Sequence, residues 1–210
     1  MNYNNFTLVT NPLVKREITI LRDKNTCVRD FRRSLNRLAF HLAVAVSENL
    51  ELDEILIETP LEVTKGVKIK NSIVLIPVLR AGLSMVSSFV ELMPNAKVGH
   101  IGLQRDEETL LPIEYYYKTP KNLEEAKVFI LDPMLATGGS ACAAFDFIKK
   151  RGAKDLYFVS IISAPEGIEN LHKNHPEVKI YSTSIDRGLN ENGYIVPGLG
   201  DAGDRTFGTL

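Results

Sequence analysis

Short apolar-rich runs alternate with helical patterns along most of this chain, and that alternation restricts the fold more than any other property of the sequence. The runs are Ile73–Val78, Val98–Leu103, Val128–Leu131, Leu156–Ile162 and Val178–Ser182. Continuous apolar stretches of this length suit strands covered on both faces. Between them lie a helical pattern from about Leu83 to Leu92, another over Ala141–Ile148, and a third starting near Pro165. The series predicts an α/β fold, a mainly parallel sheet flanked by helices. Ligands in such sheets sit beyond the carboxyl ends of the strands, where Arg80, Arg105 and Asp132 all fall.

The most telling unit is Val128–Ser140, VFILDPMLATGGS, in which a buried-strand pattern passes through a glycine turn into a helix. A helix starting near Gly138 would aim its unpaired N–H groups and positive dipole end at whatever lies over the turn. Thr137 and Ser140 add hydroxyl donors, and the basic run Lys149, Lys150, Arg151 followed by Gly152 marks the helix end. The turn therefore suits a phosphate. Its other reading is a tight strand-to-helix turn with a capping hydroxyl and no ligand. It is not the common nucleotide loop, because Ser140 rather than Lys follows Gly139. The G-x-G-x-x-G dinucleotide fingerprint is also absent.

The remaining segments fit the alternation less simply. Residues 1 to about 25 read as an irregular or extended arm with a turn at Asn11-Pro12. From Arg29 to Leu50, Phe31, Leu35, Leu38, Leu42 and Ala45 recur at helical spacing, with Arg29, Arg32, Arg33 and Arg37 on a face read as solvated. Residues 104 to 127 form a connection too long for a turn, which predicts a flap or β-ribbon. Asp186–Leu210 holds six of the 14 glycines together with Tyr194, Ile195, Val196, Leu199 and Phe207. These apolar anchors predict an ordered but non-helical hood.

With 210 residues and 44% hydrophobic content, the chain is expected to form a single domain over 1–210. The 25 basic and 26 acidic residues give a net charge of −1, so no general attraction to nucleic acid or anionic membrane is expected. Cys27 and Cys142 suit neither a zinc cluster nor a disulfide framework, and Cys142 reads as buried rather than reactive. The first residues lack a basic leader and no apolar run nears ~18 residues, so a membrane span is not expected and the cytoplasm is the default location. His172 and His175 read as a solvated helix end, His41 as structural, and Tyr115, Tyr116 and Tyr117 as ribbon residues with alternating faces.

PVLRAG at 77–82, QRDEETL at 104–110, DPMLATGGS at 132–140, APEGI at 164–168 and GYIVPGLGDAGDRTFGT at 193–209 occur together in this order. The set resembles the uracil phosphoribosyltransferase family, from about Pro12 onward. The resemblance implies the type I phosphoribosyltransferase architecture with an N-terminal arm or helix, a flap and a C-terminal hood. It also implies conversion of uracil and 5-phospho-α-D-ribose 1-diphosphate (PRPP) to UMP and diphosphate in pyrimidine salvage.

By the same resemblance, PRPP would meet Arg80, Arg105, Asp132, Pro133, Met134, Leu135, Ala136, Thr137, Gly138, Gly139, Ser140 and Asp201. Uracil would meet Ile195, Gly200, Asp201 and Ala202, and the catalytic roles would fall to Arg105 and Asp201. Asp201 either orients the base proton or caps its turn, while Arg105 either reaches diphosphate or pairs with Asp106 or Glu108. Asp204 with Arg205 reads as a scaffold pair. Many phosphoribosyltransferases have acids where this chain has Pro133 and Ala136, so no carboxylate role is carried to those positions. Mg²⁺ held mainly through PRPP is expected, with no protein metal ligand. A homo-oligomer and a GTP effector are implied as well. The alternative is a regulator of the same fold that binds uridine nucleotides and RNA.

Overall fold

The protein is described by a computed structural model covering residues 3–105 and 112–209, the side chains of 103–105 and 112–115 excepted. In chain order the elements are β1 (Phe6–Leu8), α1 (Pro12–Arg22), α2 (Val28–Ser47), β2 (Leu52–Glu58), β3 (Val63–Ile69), β4 (Ser72–Pro77) and α3 (Leu83–Leu92). There follow β5 (Lys97–Val98), β6 (His100–Arg105), β7 (Pro112–Lys118), β8 (Ala126–Leu131), β9 (Met134–Leu135), α4 (Gly139–Lys149), β10 (Asp155–Ser163) and α5 (Pro165–Asn174). The chain ends in β11 (Lys179–Ile185), β12 (Gly188–Leu189), β13 (Ile195–Val196) and α6 (Ala202–Phe207).

The central sheet is parallel, in the order β1-β11-β10-β8-β4-β5, with β9 also beside β10. Successive side chains of a strand point to opposite faces, and both faces here are apolar. Leu75, Phe129, Tyr157 and Val159 pack under α1, α2 and α3. Val74, Ile76, Val128, Ile130, Phe158 and Ile180 pack under α4 and α5. Register aligns Pro77 with Leu131 and Leu131 with Val159, so the loops leaving β4 and β8 emerge side by side. Among the described residues no helix is long and apolar enough to cross a membrane.

Several expectations need correction. The N-terminal arm holds a strand and an 11-residue helix, because Asn11 caps α1 by accepting from Leu13 N–H at 2.9 Å and Val14 N–H at 3.0 Å. Asn-Pro here is a helix start rather than a turn, with Pro12 in the first turn. The C-terminal tail does form a helix, short α6, whose N-cap is Asp201. Val98–Leu103 is not one strand: β5 stays in the sheet, while β6 leaves to pair with β7 as an antiparallel ribbon. The β-ribbon expected of the long connection is present, and residues 106–111 at its tip lie outside the described residues.

The arginine face of α2 is only partly solvated. Arg32 donates to Thr206 O at 2.6 Å and Arg37 to the buried carboxylate of Glu17 at 3.2 Å, whereas Arg29 and Arg33 are largely exposed and pair with Asp30. His175 is buried rather than solvated, its ring 5.6 Å from that of Phe145. Tyr117 packs toward the core under the Arg151 guanidinium while Tyr116 is exposed, as alternating faces require; the Tyr115 side chain lies outside the described residues. One element had no sequence forecast. β2 and β3 form an antiparallel hairpin whose Leu56, Val63 and Val67 are largely exposed.

Candidate active site

The turn after β8 is built by backbone pairing from the strand beside it. Met134 and Leu135 pair with Ile162 and Ser163, and Pro133 O accepts from the N–H groups of Ile161 and Ile162, each at 3.0 Å. Pro133 and Leu135 are thereby buried, Met134 and Ala136 half-buried, and Thr137, Gly139 and Ser140 exposed at the rim. Helix α4 opens at Gly138, with φ +80° and no side chain from its N-cap; Gly139 N–H donates to Thr137 Oγ1 at 3.4 Å, and the N–H groups that follow open toward the rim. Asp132 and residues 134–141 enclose a concavity of about 80 Å³. Its charge complement is that of an anion: N–H donors, hydroxyls and a positive helix end.

Helix α5 braces this turn from behind. Asn170 donates to Thr137 O at 2.8 Å, and Ala164 N–H to Leu135 O at 2.8 Å. Gly167 lies so close that an added Cβ would stand 2.4 Å from Ala136 O and 2.8 Å from Leu135 O. The APEGI segment therefore serves as a backstop with no room for a side chain.

Asp132 is half-buried and lines the cleft. Desolvation pushes its carboxyl up from 3.8 to about 7, opposed only by a hydrogen bond from Met134 N–H at 3.3 Å. A group with that value changes charge near neutral pH.

Arg80, in the loop after β4, donates to Asp204 Oδ1 of α6 at 3.0 Å. Asp204 is thus Arg80's partner rather than Arg205's, and hydrogen bonds from Thr209 and then Arg80 hold its carboxyl low. Arg205 instead donates to the carbonyls of Leu21, Leu199 and Asp23 and stacks 4.5 Å over Phe31. Arg105 ends β6, with its side chain outside the described residues, as are Asp106 and Glu108.

The C-terminal hood completes the cleft. β12 and β13 form a small antiparallel hairpin, anchored by Glu166 of α5 accepting from Leu189 N–H at 3.1 Å. A methyl on Gly193 would contact Thr137 Cγ2 at 3.6 Å, and one on Gly203 would contact Ala81 Cβ at 3.8 Å. The hood therefore reaches both the phosphate-suited turn and the Arg80 loop. Ile195 and Ala202 are buried while Gly200 and Asp201 are exposed, and Asp201 Oδ1 accepts from Asp204 N–H at 2.8 Å. Sequence reading missed Asn170, Glu166 and the closeness of Gly167, since each acts on a partner distant in the chain. Only the APEGI motif pointed to that stretch.

Comparison with known proteins places the chain among relatives of one kind. The family model "Uracil phosphoribosyltransferase" matches residues 8–209. A curated uracil phosphoribosyltransferase of Thermoanaerobacter sp. strain X514 is 52% identical over 208 residues, 99% of each chain. One from Streptococcus salivarius is 49% identical over 205 residues, 97% of this chain and 98% of the relative. The solved AQ2163 protein from Aquifex aeolicus superposes with TM-score 0.89 at 37% identity, covering 96% of this chain and 97% of that one. The purine phosphoribosyltransferase of Pyrococcus horikoshii, at TM-score 0.52 and 18% identity over 73% of this chain and 83% of its own, shares the fold.

Proposed function

The chain belongs to the uracil phosphoribosyltransferase family, and from that premise we propose how its cleft divides the work of the reaction. The reaction joins uracil to PRPP and releases diphosphate, leaving UMP. Diphosphate departure from the anomeric carbon builds positive charge on the ribose ring and negative charge on the leaving group. A protein accelerates this step by holding the sugar in place and opposing both charges.

The 80 Å³ concavity at the start of α4 supports placing the 5′-phosphate against Thr137–Ser140. That phosphate keeps its charge throughout and serves as a handle. Asp132, as a carboxylate, accepts bonds from the ribose hydroxyls and faces the developing ring charge. Arg80 and Arg105 take the diphosphate, for which a guanidinium fork is suited. Arg80 would exchange Asp204 for the diphosphate oxygens as donor binds.

Asp132, a carboxylate bordering the cleft, fits a Mg²⁺ held chiefly through substrate oxygens. Bound there, the ion would neutralise diphosphate charge. Uracil offers two carbonyls and an N–H, which main-chain groups at Ile195, Gly200 and Ala202 can read. An exocyclic amine facing an N–H donor would leave both unpaired, which rejects cytosine.

Asp201 has two roles to separate, and one substitution does so. Asn caps helices about as well as Asp, so Asp201→Asn preserves the bond to Asp204 N–H and removes only the charge. The expected result is a fall of about 100-fold in kcat with little change in melting temperature. Asp204→Asn should cost less than about fivefold, because Arg80 retains an acceptor. Equal turnover by the two variants in a steady-state assay would remove Asp201 from the chemistry.

The wider proposals each have one supporting feature. Exposed apolar residues on β2 and β3 and Leu61 at their turn, 95% exposed, support a homo-oligomer. A polar cavity of about 440 Å³, lined by Arg16, Asn25, Thr26, Arg33 and Arg37 with Asp23 and Asp30 among them, offers donors and acceptors for a GTP effector. Sedimentation with and without GTP tests both, and a monomer indifferent to GTP would refute them. The decisive assay is incubation with labelled uracil, PRPP and Mg²⁺. UMP should form, and its absence would overturn this reading.

A further inference from the structure

The hood would read a base mainly with its backbone, so its accuracy depends on what fixes the main chain of residues 195–202. Gly198 is the centre of that segment. Its φ is +62°, and a Cβ there would fall 2.0 Å from Ile195 O, so no side chain can anchor the turn. The peptide groups are gripped instead. Gly198 N–H donates to Asp186 Oδ2 at 2.8 Å, and Gly198 O accepts from Arg22 Nη1 at 3.1 Å.

Those two side chains form a fork of their own. Arg22 Nη1 meets Asp186 Oδ2 at 2.7 Å and Arg22 Nη2 meets Asp186 Oδ1 at 2.5 Å, with the Asp186 side chain 1% exposed. Ser184 Oγ sits between them, donating to Asp186 Oδ1 at 3.0 Å and accepting from Arg22 Nη2 at 3.2 Å. Asp186 N–H donates to Ser163 O, which ties the fork to the end of β10. A bidentate pair of this kind defines direction as well as distance. Its position is referred to the central sheet, while its free donors and acceptors are spent on Gly198.

We infer that Arg22 and Asp186 are positioning residues for uracil recognition, holding the Gly198 peptide so that the neighbouring main-chain groups meet the base in register. The inference rests on assigning residues 195–202 to uracil. Neither side chain touches substrate in this account. Each acts through a backbone whose displacement weakens every base-directed hydrogen bond at once, while the phosphate-suited turn has its own brace in α5. The pair therefore governs uracil far more than PRPP, whose phosphate-suited turn it does not touch.

The test is steady-state kinetics with both substrates varied, run well below the melting temperature of each variant. Asp186→Asn should raise the uracil KM about tenfold and leave the PRPP KM within about twofold. Arg22→Met should match it, and Arg22→Lys, which keeps the charge and one donor, should recover most of the loss. Val46→Ala, a cavity in the core beneath α2, serves as a destabilised comparison and should leave the uracil KM unmoved. If Asp186→Asn does not fold, the Arg22 pair of variants decides. An unchanged uracil KM in the variants that fold overturns the inference. Gly200→Ala then shows where the error lies: a raised uracil KM there leaves the base assignment standing, and an unchanged one removes that assignment too.

Discussion

Asp132→Asn is expected to lower kcat/KM for PRPP by about a thousandfold and to flatten its pH profile. The parent profile should fall below a pH near 7, because desolvation raises the Asp132 carboxyl to about 7 in the free enzyme. Above that value the group is a carboxylate able to accept from two hydroxyls; below it the proton removes both the charge and an acceptor. Asn has no proton to gain in this range. The variant's residual activity should therefore be level across pH 6–8.

Stability should move the other way. A carboxyl raised from 3.8 to about 7 on folding binds a proton more tightly in the folded chain. Its stabilising contribution is complete below 3.8 and is lost as pH rises through about 7. At pH 8 the parent holds a desolvated charge that the variant lacks, so Asp132→Asn should melt higher there. A variant that is both less active and more stable would identify a site residue. A parent profile level from pH 5 to 8 would contradict this account.

The second large effect is expected from Gly167→Ala. The new methyl would meet Ala136 O at 2.4 Å and the carbonyl carbon of Ala136 at 3.1 Å, and main chain cannot swing aside as a side chain can. Either α5 retreats or the turn after β8 is pushed outward, and both dismantle the support from Asn170 and Ala164. The PRPP KM should rise about a hundredfold, with the uracil KM changed far less, since Gly198 is held by other residues. Stability should drop by about 1–3 kcal/mol, as overpacking usually does. Wild-type donor kinetics would show that α5 is not the brace described.

Legibility of the sequence followed the range of the interactions. Strands β4, β8, β10 and β11 and helices α3, α4 and α5 could be read because each writes its burial pattern into its own residues. The turn at Asp132–Ser140 was readable for the same reason. Helix α1 was hidden by Asn11-Pro12, which serves equally as turn or cap until Val14, Ile18 and Leu21 find the core. Helix α6 was hidden by its glycines and its six-residue length, and it persists because Asp201 caps it and Ala202 and Thr206 are buried. Arg22 with Asp186 and Arg80 with Asp204 join residues 164 and 124 positions apart, so no local pattern could announce them. Cross-chain pairings of this kind govern the details of the candidate site.

The edge strand β1 has a consequence for how the chain acquires its structure. Phe6 pairs with Ile180 and Leu8 with Ser182, each across 174 positions of chain. Contacts of such separation are made late, after the entropy of closing a long loop has been met. Arg22 likewise meets Asp186 across 164 positions. A chain stopped before Lys179 leaves β1 without the edge it pairs with and lacks the hood altogether, so the donor side of the cleft can form ahead of the base side.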